Sequence, residues 1–107
     1  AVFQGKIFVD SKAQKTDGYQ LSRALLLSDN VKFFSKPELE IYADDVKCSH
    51  GSSSGSIDNE SIFYLRSRGI DEKSAKQLMI NGFLAEVIDK ISNKQFRDIF
   101  INRLGGI

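Results

Sequence analysis

Apolar and polar positions alternate from the start of the chain. In Val2–Val9, the residues Phe3, Gly5, Ile7 and Val9 fall on one side, a period of two that predicts a half-buried strand. Residues 11–18 are polar and turn-forming. Residues 19–27 end in the apolar run Ala24-Leu25-Leu26-Leu27, which suits a strand buried on both faces. Ser28-Asp29-Asn30 breaks that run, and Val31 to Phe34 reads as another short strand. Lys36-Pro37-Glu38 then turns the chain, because proline cannot donate to a ladder and marks a strand boundary. Leu39, Ile41 and Ala43 alternate with Glu40 and Tyr42 in a further strand that leads into Asp44-Asp45. Short strands separated by polar turns suit a sandwich, a barrel or a solenoid. The runs at Ile7, Leu25 and Ile41 recur at nearly even intervals, as the rungs of a β-helix do.

After His50 the pattern changes. Gly51-Ser52-Ser53-Ser54-Gly55-Ser56 reads as a flexible joint, since glycine and serine give little stiffness. Asp58 is placed to cap a helix through Ser67 that carries Ile62, Phe63 and Leu65. Gly69 ends it as a left-handed cap residue. A longer helix starts at Asp71, with Ala75, Leu78, Met79, Phe83, Val87 and Ile91 at three- and four-residue spacing. Ser92 and Gln95 form a capping-box pattern before a third helix carrying Phe96, Ile99, Phe100 and Leu104, closed by Gly105-Gly106. The expected organisation is therefore strand-rich residues 1–50, a Gly/Ser-rich linker at 51–57 and a helical unit at 58–107. A helical unit of about fifty residues needs something to pack on.

Composition adds exclusions. The 107 residues suffice for one compact domain or a fragment of a larger one, and an opening on Ala1 rather than methionine favours the fragment. Net charge is +1, with seven basic and seven acidic side chains in residues 1–56 and eight and seven in residues 57–107. So even a balance predicts neither a nucleic-acid nor a membrane surface. One cysteine excludes an internal disulfide framework and fits a reducing compartment. With no signal peptide or spanning segment visible, the expectation is a soluble intracellular protein.

The candidate chemistry lies in Asp44-Asp45-Val46-Lys47-Cys48-Ser49-His50. It holds the only cysteine and the only histidine, two residues apart. In extended chain, residues i and i+2 share a face, which would put a thiol beside an imidazole. Structural zinc takes four ligands and iron–sulfur clusters are usually held by four thiolates, with histidine an occasional substitute. One cysteine and one histidine complete neither, so a metal or cluster held here must be shared with another chain. The competing reading makes Cys48 a small buried residue and His50 a polar loop residue. A third makes Asp44, Asp45 and His50 a hydrolytic cluster, which needs all three within reach of a substrate. Adjacent aspartates in a strand face opposite ways, and Asp-Asp more commonly forms a turn.

Several longer motifs occur together. Asp44-Asp45-Val46-Lys47-Cys48-Ser49-His50-Gly51 and Phe63-Tyr64-Leu65-Arg66-Ser67-Arg68-Gly69-Ile70 resemble the C-terminal part of the SufD branch of the SufB/SufD family. So do Val2-Phe3-Gln4-Gly5-Lys6-Ile7, Ala13-Gln14-Lys15-Thr16-Asp17, Leu25-Leu26-Leu27-Ser28-Asp29 and Lys36-Pro37-Glu38-Leu39-Glu40-Ile41-Tyr42. The resemblance covers nearly the whole chain. SufB resembles it too, but has a cluster-related cysteine where this chain has Leu21 and a glutamate where it has Gly51. Ser52-Ser53-Ser54 departs from the Ala-Thr-Val usual in SufD.

The resemblance implies a mainly β fold with C-terminal α structure: the terminal rungs of a right-handed parallel β-helix followed by a small helical domain. It implies a non-catalytic subunit of the SUF iron–sulfur cluster assembly scaffold, which pairs with SufB and docks the ATPase SufC through the helices. His50 is the residue carried over to the SufB–SufD interface, as a metal or cluster ligand shared with SufB, and Cys48 lies beside it. The cluster is expected to be transient, with none stably bound to this fragment. The implied setting is the bacterial cytoplasm or the plastid stroma. An isolated fragment with open strand edges is expected to form a homodimer. A further possibility is a pure interaction module that recruits SufC while Cys48 and His50 are inert; Arg66 and Arg68 are then of interest, though arginines near a helix end commonly serve as solvated charges.

Overall fold

A computed structural model describes residues 1–104, and the expected closure at Gly105-Gly106 lies outside the described residues. The chain divides into two compact units, Ala1–Ser56 and Ile57–Ile107.

The first unit holds four strands: β1 (Val2–Val9), β2 (Asp17–Leu26), β3 (Phe34–Ile41) and β4 (Lys47–Ser56). β1 pairs in parallel with β3, and β2 in parallel with β4. Each β1 residue meets the residue 32 positions on, as Val2 meets Phe34. Each β2 residue meets the one 30 positions on, as Asp17 meets Lys47. Pairing partners therefore lie about thirty residues apart, with a strand of the other pair between them. The recurrence at Ile7, Leu25 and Ile41 does not mark successive rungs, because Ile7 pairs with Leu39, Ile41 with Val9, and Leu25 with Gly55 in the other sheet.

Three further expectations are corrected. Residues 31–33 are not strand, and β3 begins at Phe34. Pro37 does not turn the chain but sits in mid-strand opposite Gly5. The amides of Phe34 and Tyr42 donate to the carbonyls of Ala1 and Val9, so even-numbered β3 residues face β1. Pro37 has the other parity, and its missing N–H falls on the edge away from β1, where no ladder bond is lost. Finally, Gly51–Ser56 is not a linker. It is the second half of β4, paired residue by residue with Leu21–Leu26; a ladder uses backbone groups, and a Gly/Ser composition is no bar to it.

β2 is buried on one face rather than two. Ser22 is buried and Gly18 and Gln20 half-buried, whereas Tyr19 and Leu21 are 63% and 47% exposed. Only Ala24–Leu26 are half-buried in succession, and Leu27 lies outside the strand. On β1, Val9 is buried and Gly5 and Ile7 half-buried, while Lys6 and Phe8 are exposed, the alternation that period two requires. The outer face of β1 and β3 carries a polar ladder. Lys6 Nζ donates to Glu40 at 2.9 Å, Tyr42 Oη donates to the same carboxylate at 2.8 Å, and Gln4 Nε2 donates to Glu38 at 3.2 Å. The Glu40 bond holds the Lys6 ammonium above its ordinary pKa, and the Lys6 bond holds Glu40 below the usual carboxylate range. Phe8 and Tyr42 close the row with ring centroids 5.7 Å apart.

The second unit holds α1 (Asn59–Ser67), α2 (Glu72–Ile88) and α3 (Lys94–Arg103). Asp58 caps α1 by accepting from the amides of Glu60 and Ser61, and Asp71 caps α2 by accepting from the amide of Ser74. Gly69, at φ 90°, ends α1. Its amide donates to Arg66 and that of Ile70 to Leu65, the paired bonds of a Schellman cap. α2 stops at Ile88, so Ile91 lies beyond it. The cap of α3 is Asn93 rather than Ser92: Asn93 Oδ1 accepts from the amide of Phe96, three residues on, the spacing a side-chain cap needs. Ile62, Ala75 and Ile88 form the buried apolar set of this unit.

Candidate functional site

The turns between strands set the stage. In the first, Asp10 Oδ1 accepts from the amide of Lys12 at 2.9 Å, Thr16 Oγ1 donates to the Ala13 carbonyl at 2.8 Å, and Lys15 takes a positive φ of 62°. Gln14 Oε1 then accepts from the amide of Asp45 at 2.9 Å, and the amide of Lys47 donates to Thr16 at 2.9 Å. The Asp44-Asp45 turn is thereby seated on the turn that precedes β2, and β4 starts in register on β2. Both aspartates are exposed and lie in the turn, not on a strand face. They use the turn chemistry of Asp, and the structure does not bring them together with His50 as a hydrolytic cluster.

Cys48 and His50 lie within β4, two residues apart, so they project from the same face. Two observations identify that face. A Cβ built on Gly18, the ladder partner of Cys48, would stand 3.6 Å from Cys48 Sγ and 3.7 Å from Ile7 Cγ2. A Cβ on Gly5 would stand 2.6 Å from Nε2 of Gln20, the ladder partner of His50. The face is the inner one, turned toward the β1–β3 sheet. Cys48 is a free, half-buried thiol and His50 is exposed. The exposure follows from position: β4 pairs only with β2 among the described residues, so no further strand covers the inner face beyond it. His50 is therefore a strand residue at an open end, not a loop residue, and the stretch after it is strand.

The opposite face is the more exposed one. There Gly51 lies under Tyr19, whose Oη would be 2.8 Å from a Cβ at position 51. Among the described residues, no three His, Cys, Asp or Glu side chains come close enough to hold a metal ion. What this chain offers is one imidazole nitrogen with a sulfur two residues away, both on an open face.

Sequence reasoning missed Gln20. Its Nε2 is buried without a hydrogen-bond partner among the described residues, as is Ser35 Oγ. The signal that finds it is the 30-residue pairing offset, which no local motif carries. Arg66 and Arg68 are surface groups: Arg66 lies 3.8 Å from Glu72, and the Arg68 guanidinium stacks 5.3 Å from the Tyr64 ring centroid.

Comparison with known proteins bears on what this face does. The SUF system FeS cluster assembly, SufBD core domain, matches residues 1–83. The iron-sulfur cluster assembly protein SufD of Escherichia coli is 47% identical over 105 residues, which is 98% of this chain and 25% of that protein. The chloroplastic protein ABCI7 of Arabidopsis thaliana is 42% identical over 107 residues, 100% of this chain and 22% of that protein. A SufBD family protein of Synechocystis is 46% identical over 91 residues, 85% of this chain and 20% of that protein. The chain thus spans about a quarter or less of the length of these relatives.

Proposed function

The chain belongs to the SufBD core family of the SUF system for FeS cluster assembly, and from that premise we propose that it is the cluster-facing end of a non-catalytic scaffold subunit. In this reading the two parallel pairs are the last rungs of a right-handed β-helix. A SufB subunit meets their open end, and the helices of residues 57–104 dock the ATPase SufC. His50 supplies one nitrogen to a nascent cluster whose remaining ligands come from SufB, with Cys48 beside it as a secondary candidate. The cluster is cargo, assembled and passed on, and the chain catalyses no reaction of its own. The setting is the bacterial cytoplasm or the plastid stroma, in keeping with relatives from bacteria and a chloroplast. Among the described residues no helix is long and apolar enough to cross a membrane.

The observation that supports this reading is the placement of His50: an exposed imidazole on the inner face of the last strand of its sheet, with too few ligands around it among the described residues to close a site. The test is His50→Ala in the full-length protein, assembled with SufB and SufC. The complex should still form while its iron and sulfide content collapses, and unchanged content would rule the ligand role out. Because thiolate and neutral imidazole are the ligating forms, cluster assembly should also weaken on acidification.

A second reading, recruitment of SufC without any ligand role, is favoured by apolar side chains left exposed on the helices, Phe63 at 75% and Phe96 at 60% among them. Deleting residues 58–107 separates the two. Loss of SufC binding with cluster assembly on SufB unaffected would favour recruitment alone.

A further inference from the structure

Gln20 is the β2 residue paired with His50. Paired residues of a parallel sheet put their side chains on one face, on strands about 4.8 Å apart. The Gln20 carboxamide lies over Gly5 of the facing sheet: a Cβ on Gly5 would stand 2.6 Å from Nε2 and 3.0 Å from Oε1. Only a glycine there leaves room for it. Yet the carboxamide makes no hydrogen bond among the described residues, and its Nε2 is fully enclosed. An enclosed polar group left unpaired carries a desolvation penalty that a leucine of similar size would not. The neighbouring imidazole is likewise unengaged among the described residues. An enclosed, unpaired carboxamide held in a space made for it thus sits beside an exposed imidazole with no bond to the rest of the described chain.

We infer that Gln20 is a positioning residue for His50: its carboxamide oxygen accepts the imidazole Nδ1–H and so leaves Nε2 free to face the cargo. Nδ1 is the ring nitrogen on the Cβ side of the imidazole, whereas Nε2 is at the far end of the ring. The ladder pairing sets the two side chains next to one another on one face, and the bond fixes both tautomer and ring orientation. Ligating histidines generally need such a partner on the other nitrogen. The inference rests on the reading of His50 as a ligand.

The test uses the full-length chain with ¹⁵N-labelled histidine, the His50 signals being assigned by their loss in His50→Ala. At slightly alkaline pH the wild type should show the Nδ1–H tautomer, the opposite of the Nε2–H form that free imidazole side chains favour. Gln20→Glu keeps the acceptor and should keep that tautomer. Gln20→Leu fills the space without an acceptor and should revert to Nε2–H, and Gln20→Met serves the same purpose should the leucine variant fail to fold. In the complex with its partner subunits, the apolar variants should lower cluster affinity by roughly 10- to 100-fold, read as a loss of bound iron and sulfide. A wild type in the Nε2–H form, or an apolar variant that keeps the wild-type tautomer, overturns the positioning role even if His50→Ala abolishes the cluster. Unchanged cluster content in His50→Ala overturns the ligand reading and this inference with it.

Discussion

Gly18 and Cys48 are ladder partners, and a Cβ added to Gly18 would rest 3.6 Å from the Cys48 sulfur. That is ordinary van der Waals contact, so the sheet has room for a methyl group there, and the methyl would cover the thiol from the β2 side. Gly18→Ala should fold normally and slow the alkylation of Cys48 by a small thiol reagent several-fold. Reaction at the wild-type rate would mean that the thiol is approached from elsewhere, and that the inner face is not where its reactivity lies.

Gly5→Ala should act at a distance in sequence. The new Cβ would stand 2.6 Å from Gln20 Nε2, closer than such atoms approach, and the glutamine must give way because its side chain is the flexible partner. The strand pairing of β1 with β3 does not depend on the amide and should persist, seen as unchanged far-ultraviolet circular dichroism. Cluster content in the assembled complex should fall as it does for Gln20→Leu. Retention of full content by a folded Gly5→Ala protein would show that Gln20 need not stay where it is.

The helical caps predict an acid response. Bonds from Ser61 hold Asp58 below the usual carboxylate range, and bonds from Ser74 do the same for Asp71. A carboxylate with a depressed folded pKa stabilises the fold above its unfolded pKa, about 3.9 for an aspartate. That stabilisation is lost as pH falls through the folded value. Helicity of residues 57–104 should therefore decline below about pH 4. Asp58→Asn with Asp71→Asn keeps good caps without the titrating charge, and should flatten that decline while leaving neutral-pH helicity nearly intact. An unchanged acid limb in the double variant would assign it to other groups.

How far these features could be read from the residues follows their range along the chain. β1 was legible because its alternation is local, and the caps at Asp58, Asp71 and Gly69 because a cap is a five-residue affair. The shared face of Cys48 and His50 followed from their spacing alone. Pro37 misled, since its effect on a strand depends on which edge its nitrogen faces, and that is fixed by pairing with a strand 32 residues earlier. The serines after His50 misled for a related reason: ladder bonds come from backbone groups, and composition does not reveal a partner strand. Gln20 could not be singled out without the pairing that sets it beside His50.

Core truncation in the helical unit should be costly. Ile62 is 8% exposed and belongs to the small set of buried apolar residues there. Ile62→Ala should destabilise the protein by an amount at the lower end of the roughly 2–5 kcal/mol typical of such truncations, measured by chemical denaturation and followed by helix signal. A change below about 0.5 kcal/mol, the range of exposed substitutions, would mean that Ile62 is not packed as described.

The open edge of β4 makes the sharpest prediction, because parity separates association from folding. The amide of Lys47 donates to Thr16, so odd-numbered β4 residues face β2, and the N–H groups of even-numbered ones face the unpaired edge. A free edge of this kind invites another strand, and residues 1–107 prepared alone are expected to dimerise through it. Ser52→Pro removes an N–H from the free edge and none from the β2–β4 ladder, so the fold should persist while the dimer is lost. Ser53→Pro removes the N–H that bonds to β2 and should destabilise the sheet itself. Light scattering gives the mass and circular dichroism the fold. A monomeric wild type at micromolar concentration, or dimers that survive Ser52→Pro, would show that β4 is not the associating edge.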